Sequence, residues 1–199
     1  MIRAQLSMLD AKPIDYINRI KESKHIVLFY QDVKKARKIE FQFILNGLLK
    51  GQHSSYVTHD EIEIVEKKMT EFGIDVEKFQ RKNLLHIYKV QDPTEDPKGL
   101  LHGYETVTKQ ILSGSKPPHR VAGRMIQNMS TKEAVQAELQ LEHLFHSNFK
   151  HFDGCVLCVY PYDNIEQKHR SEWITSIINE HHGTVFLPKD MDGISFNLP

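Results

Sequence analysis

Twelve histidines and two cysteines give this 199-residue chain its widest chemical reach. His143, His146, His151, Cys155 and Cys158 crowd into one stretch, and metal ligation would need their donor atoms to converge. His143 and His146 stand at i, i+3 on one helix face. Cys155 and Cys158, three apart on an apolar run that reads as a strand, point to opposite faces of a sheet. A zinc-type C-x-x-C belongs on a turn, so no metal is expected and the thiols read as core residues. Cys158 beside a histidine would be a nucleophile only with a lowered pKa, and burial in an apolar strand does the reverse. Neither a G-x-S-x-G elbow nor H-E-x-x-H occurs. The expectation is no enzyme and no cofactor.

Phosphate chemistry fares no better. The loop after the first strand reads QDVKKARK over 31–38 and has no glycine. Backbone amides converge on a phosphate only where small residues allow it, and neither G-x-x-x-x-G-K-[ST] nor G-x-G-x-x-G is present. Lys34, Lys35, Arg37 and Lys38 read as a solvated basic helix start. They are too few and too interrupted to predict nucleic-acid binding.

The elements that would position a site alternate. Apolar runs at 25–30 (HIVLFY), 54–58, 84–90, 120–127, 155–160 and 184–187 read as strands. Five unbroken apolar residues after His25 fit a strand buried on both faces. Between them lie helix-period segments at 38–50, 60–72, 76–82, 100–112, 130–150 and 167–182. Asp60 with Glu63, and Ser130 with Glu133, have capping-box spacing, and Gly51, Gly73 and Gly183 stand at helix ends. Such alternation builds βαβ units. The predicted fold is α/β: three layers, a mostly parallel sheet with helices on both faces. Residues 1–24 are expected to form a leading helical arm and 25–199 the α/β domain.

Composition narrows the classes further. Lys plus Arg equals Asp plus Glu at 26 each, so no global field attracts nucleic acid or anionic lipid. No apolar run is long enough to cross a membrane, and 1–16 lacks the apolar core of an export signal. Two cysteines make no disulfide framework, and a reducing, cytoplasmic setting is expected.

The order of the segments carries a resemblance. Gly47, Leu48, Gly51, Tyr56, Val57, Thr58, Asp60, Glu61, Gly73 and Asp75 follow the pattern of KaiC-like and RecA-like ATPases. In those proteins this segment follows the phosphate loop. Here that loop is replaced by 31–38, and RVAGRMIQNM (120–129) lacks the acid that would complete an Mg-ATP site. One branch fits this combination: the MEDS domain, a sensory domain of methanogens and methylotrophs also found in DcmR-like regulators. The chain resembles it over about 24–190 through HIVxFY (25–30), NGLxxG (46–51), YVT (56–58), RVxG (120–123) and LCxY (157–160). The resemblance implies a RecA/KaiC-like frame without nucleotide chemistry. It also implies sensing of small hydrocarbon-derived molecules such as methylated or halogenated one-carbon compounds. It further implies an acid where Arg124 stands, so any site there has an inverted charge.

In open α/β sheets ligands bind beyond the carboxyl ends of the strands. That rule nominates Tyr30, Gln31, Asp32, Thr58, His59, Asp60, Arg124 and Tyr160. Each also has a structural reading. Tyr30 and Tyr160 can cap the sheet, and Asp32 and Asp60 can cap helices. Arg120, at the beginning of its strand, is expected to pair with Glu138 or Glu142. Trp173 reads as packing, and His25 as structural. The leading expectation is a non-catalytic sensory module for a small-molecule ligand or a signalling protein, without direct nucleic-acid or membrane binding. The alternatives are an oligomeric scaffold, with a homo-oligomer built through the arm, and a protein with residual nucleotide binding through Lys34 or Lys38.

Overall fold

The apolar run after His25 becomes β1 (Lys24–Tyr30), and Ile26, Val27, Leu28 and Phe29 are fully buried. It lies between β5 (Gly154–Pro161) and β6 (Gly183–Leu187), parallel to both. With β2 (His53–Thr58), β3 (Leu85–Lys89), β4 (His119–Gly123) and β7 (Ile194–Asn197) it forms a seven-stranded sheet in the order β3-β2-β4-β5-β1-β6-β7. Six strands are parallel, and β7 runs antiparallel to β6 at the edge. The computed structural model describes residues 12–21, 23–164 and 167–198.

Alternate residues of each strand face opposite helix layers, so one strand feeds two cores. Ile26, Leu28 and Leu157 pack towards α1 (Pro13–Arg19), α2 (Val33–Leu49), α3 (Ile62–Phe72) and α4 (Val76–Arg81). Val27 and Phe29 pack towards α6 (Lys132–Asn148) and α7 (Gln167–Asn179) through Leu141, Trp173 and Ile177. A third cluster sets Val57 and Val90 against Val107 and Ile111 of α5 (Leu100–Leu112). The three-layer α/β expectation therefore holds. Of the expected arm, Tyr16 and Ile17 of α1 and Ile20 just after it are buried in the α2-side core, and residues 1–11 and 22 lie outside the described set.

Several local readings change. The expected strand over 120–127 stops at Gly123, whose φ is +141°. A Cβ there would sit 2.2 Å from the Val57 carbonyl oxygen, so the β2–β4 approach itself demands glycine. Asp60 does not cap α3; the cap position is Glu61, without a side-chain bond, and the Asp60 carboxylate turns to Arg37. The cap of α6 is Thr131 rather than Ser130, its hydroxyl oxygen accepting from Ala134 N at 3.1 Å. Gly183 opens β6 instead of closing α7. Sequence periodicity gives no sign of β7: Ile194 is exposed, Ser195 is buried, and Phe196 and Asn197 are half-buried, Asn197 accepting from Tyr16 and Lys24.

Arg120 is nearly fully buried, but not against α6. Its Nε donates to Gln52 Oε1 at 2.9 Å, and its guanidinium lies 4.6 Å from the Phe43 ring centroid, on the α2 side. Glu138 and Glu142 lie across the sheet, so the expected ion pair is replaced by a hydrogen bond to the Gln52 amide oxygen and a cation–π contact.

Substituting Gly123→Ala adds both a positive-φ penalty and a backbone clash. The urea midpoint should fall by an amount equivalent to at least ~2 kcal/mol. An unchanged midpoint would contradict this account of the β2–β4 contact.

Candidate functional site

The carboxyl ends of the strands form a small polar cleft of about 100 Å³. Five nominated residues line it: Tyr30, Thr58, His59, Asp60 and Arg124. The cleft is cross-linked by its own side chains. Arg37 Nη2 donates to Asp60 Oδ2 at 2.7 Å, and the Tyr56 hydroxyl is bonded to both Arg37 and Glu40. Thr58 Oγ1 accepts from Asp60 N at 3.0 Å. Burial raises the Glu40 carboxyl against the opposing pull of Arg37. Burial and Arg124 lower His59, and both His59 Nε2 and Arg124 Nη1 are buried without a partner.

Gln31 and Asp32 stand apart from this cleft. The Gln31 amide nitrogen donates to Asp163 Oδ1 at 3.0 Å, and its oxygen accepts from Lys189 N at 3.2 Å. Asp32 caps α2, with Oδ1 accepting from Lys34 N at 2.8 Å and Lys35 N at 3.1 Å. A carboxylate of the chain itself thus occupies the amides that a phosphate loop would offer. The basic helix start is less solvated than its composition implies. Lys35 Nζ donates to the carbonyls of Lys189 and Met191 at 2.8 and 3.0 Å, and Arg37 is consumed in the cleft.

Tyr160 belongs to a different cavity. Between α5, α6 and the β2–β4–β5 face lies a space of about 260 Å³. Val121, Ile111, Leu141 and Phe145 supply its apolar walls, and Val57, Gly123 and Arg124 border both this cavity and the cleft. Polar groups in its lining include Tyr160, Glu138, Glu142 and Cys158, alongside Arg124, Thr108, Asn148 and His151. This is the make-up of a small-ligand pocket: apolar walls with a few convergent polar groups.

Tyr160, Glu138, Glu142 and Cys158 form one buried relay. The Tyr160 hydroxyl bonds both Glu138 Oε1 and Glu142 Oε1. A phenol has a single proton to donate. Burial, then the charge of Glu142, pushes Glu138 up to about 8. Glu138 is therefore the protonated member at neutral pH and donates to Tyr160, which donates to Glu142. Burial also opposes charge on Glu142, but His181, His25 and the bonds from His25 and Tyr160 prevail and hold it at about 2. Burial and Glu142 raise both the Cys158 thiol and, with Glu138, the Tyr160 phenol.

Behind Glu142 the relay continues into imidazoles. His25 Nε2 lies 3.1 Å from Glu142 Oε2 and 3.2 Å from Cys158 Sγ. His181 Nε2 lies 3.6 Å from the same Glu142 oxygen. The two rings are 3.9 Å apart between centroids. Burial, then His25, lowers His181 to about 3, so this ring is neutral at physiological pH. His181 Nδ1 bonds the Ile177 carbonyl at 2.6 Å; that nitrogen carries the proton, and Nε2 keeps its lone pair.

The sulfur and imidazole residues that crowd together in the sequence do not converge in the fold. Cys155 lies beside Arg120 on the α2 side of the sheet, and His143 pairs at the surface with Glu180 at 3.0 Å. Of that group only Cys158 joins the relay. Glu138 and Glu142 did carry a signal, since they share the stripe of α6 that holds Ala134, Leu141 and Phe145. His25 and His181 open one strand and follow a distant helix, and no local spacing joins them.

Comparison with solved structures shows a fold like that of a KaiC-like protein. The solved structure of a KaiC-like protein from the hyperthermophilic archaeon Pyrococcus horikoshii OT3 superimposes with a TM-score of 0.57 at 16% identity, over 88% of this chain and 77% of that one. The chain belongs to the MEDS family, described as the methanogen/methylotroph, DcmR sensory domain, whose match spans residues 24–177. No curated protein matches it. Among the described residues no helix is long and apolar enough to cross a membrane.

Replacing Glu40 by Gln tests the electrostatics of the cleft. Glu40 is raised in the folded chain, so above its ordinary value of 4.5 the folded state keeps a proton that the unfolded state has released. That makes stability fall as pH rises through the folded pKa. In urea titrations, Glu40→Gln should gain on the parent between pH 5 and pH 8. A constant or shrinking difference would contradict the raised carboxyl.

Proposed function

We propose that this domain is a non-catalytic sensory module that takes a small, weakly polar molecule into the cavity between α5 and α6. The class is one-carbon or short hydrocarbon-derived compounds, and the signal passes to a protein partner. The observation that carries this reading is the cavity: apolar walls from Val121, Ile111 and Leu141, with the Tyr160 hydroxyl and the Glu138 carboxyl in its lining. A ligand there would be held by apolar contact and oriented by one or two hydrogen bonds. Two further observations agree. The family is described as sensory, and where a KaiC-like frame would meet phosphate Asp32 takes the first amides of α2, while Arg37 and Asp60 cross-link the neighbouring cleft.

The cavity and the cleft share Arg124 and Gly123, so occupancy of one can be felt in the other. A ligand acts only by binding two states of the domain unequally. The loop from Gly123 to Thr131, between β4 and α6, is the segment that such an equilibrium would move.

A dihalomethane series in a thermal-shift experiment tests the reading. At a hundred times its dissociation constant a bound member should raise Tm by ~5–10 °C. Val121→Phe, which fills the cavity, should fold and lose the shift. An equal shift in parent and variant, or none across dihalomethanes, methanol, methylamines and short thiols, would overturn the assignment. So would a shift produced by Mg-ATP.

A further inference from the structure

The strongest unassigned feature is the convergence behind Glu142. Four donors of three chemical kinds, from His25, Glu142, Cys158 and His181, lie within 4.8 Å of one another. They come from β1, α6, β5 and the turn before β6, so the fold brings them together where no sequence motif does. His25, Glu142 and His181 are buried and Cys158 is half-buried.

We propose that His25, Glu142, Cys158 and His181 form a binding site for a divalent cation of the zinc class. Tetrahedral zinc takes nitrogen at ~2.0–2.1 Å, carboxylate oxygen at ~2.0–2.2 Å and thiolate at ~2.3 Å, which sets donor–donor edges of roughly 3.3–3.8 Å. Three edges already stand at 3.1, 3.2 and 3.6 Å. Only small side-chain adjustments separate the cluster from a coordination tetrahedron. Two neutral imidazoles, one carboxylate and one thiolate balance the charge of the cation, and binding releases the Cys158 proton.

A second observation points the same way. His181 Nε2 is a buried nitrogen without a hydrogen-bond partner, and it faces the Glu142 carboxylate. Its ring is oriented by the bond from Nδ1 to the Ile177 carbonyl, the outer contact that metal-binding histidines characteristically make. Glu142 has the same kind of support, because its other oxygen accepts from Tyr160. An unpartnered polar nitrogen in a dry core costs free energy, and a cation would satisfy it. Softness narrows the choice of metal. Thiolate and imidazole favour zinc and its neighbours over magnesium or calcium.

The test uses the full chain, stripped with a chelator and titrated with cobalt(II), with zinc(II) as competitor. The result expected is one cobalt per chain, with the strong absorption of tetrahedral cobalt and a thiolate-to-cobalt charge-transfer band, both removed by zinc. Cys158→Ser should abolish the charge-transfer band and weaken binding at least ~10-fold. His181→Gln should keep the band but weaken binding by a similar factor. Cys155→Ser, on the other face of the sheet, should leave both unchanged. Absence of saturable uptake, or equal loss in Cys155→Ser, would overturn the site. X-ray absorption of the zinc-loaded parent needs no variant to fold, and a shell without sulfur would overturn it too. Dihalomethane binding by the chelator-stripped chain reports on the sensory reading separately, so each can fail alone.

Discussion

Glu142 is an ionised carboxylate buried against the centre of the sheet, and its solvation has to come entirely from protein. An isolated carboxylate in such a place would take up a proton. Here a phenol and a thiol of β5, an imidazole of β1 and, slightly farther off, the imidazole that precedes β6 surround it. The arrangement ties α6 to β5 and to His25 of β1. It also separates the two glutamates chemically: one stays charged, and the other keeps its proton and acts as a donor. The polar lining of the cavity at Tyr160 and Glu138 follows from that division of labour.

The parallel sheet explains why there are two candidate places for a ligand. Strand ends with helix starts make a ready anion site in this architecture, and the chain fills it from within. Asp32 takes the first amides of α2, and Arg37 is shared between Asp60, Glu40 and Tyr56. The apolar space lies instead at the α5–α6 face over Val121, where the proposed ligand would fit.

The fold was largely legible because its signals are local. The run after His25 is a doubly buried strand, the Asp32 cap is a short-range contact, and helix periods mark the layers. Gly123 ended a strand earlier than its apolar neighbours suggest, because the β2–β4 approach is tertiary. β7 pairs at an edge with little apolar content to announce it. The site was legible in part. The strand-end rule gathered Tyr30, Thr58, His59, Asp60 and Arg124 into one cleft, yet it misplaced Gln31 and Asp32, whose partners lie on the chain's own backbone and surface. Tyr160 was nominated for its strand end, while its hydroxyl works with α6. The histidine cluster was hidden by distance along the chain: His25 and His181 meet only once β1 and β6 are neighbours.

The claim on which the account stands is that recognition belongs to the α5–α6 cavity and not to the strand-end cleft. Methyl-resolved NMR with dichloromethane and, separately, Mg-ATP as probes addresses it directly. The account predicts dichloromethane shifts concentrated at Val121, Ile111 and Leu141, with no saturable response to Mg-ATP. Shifts confined to the residues around Thr58 and Asp60, or saturable Mg-ATP binding there, would contradict it.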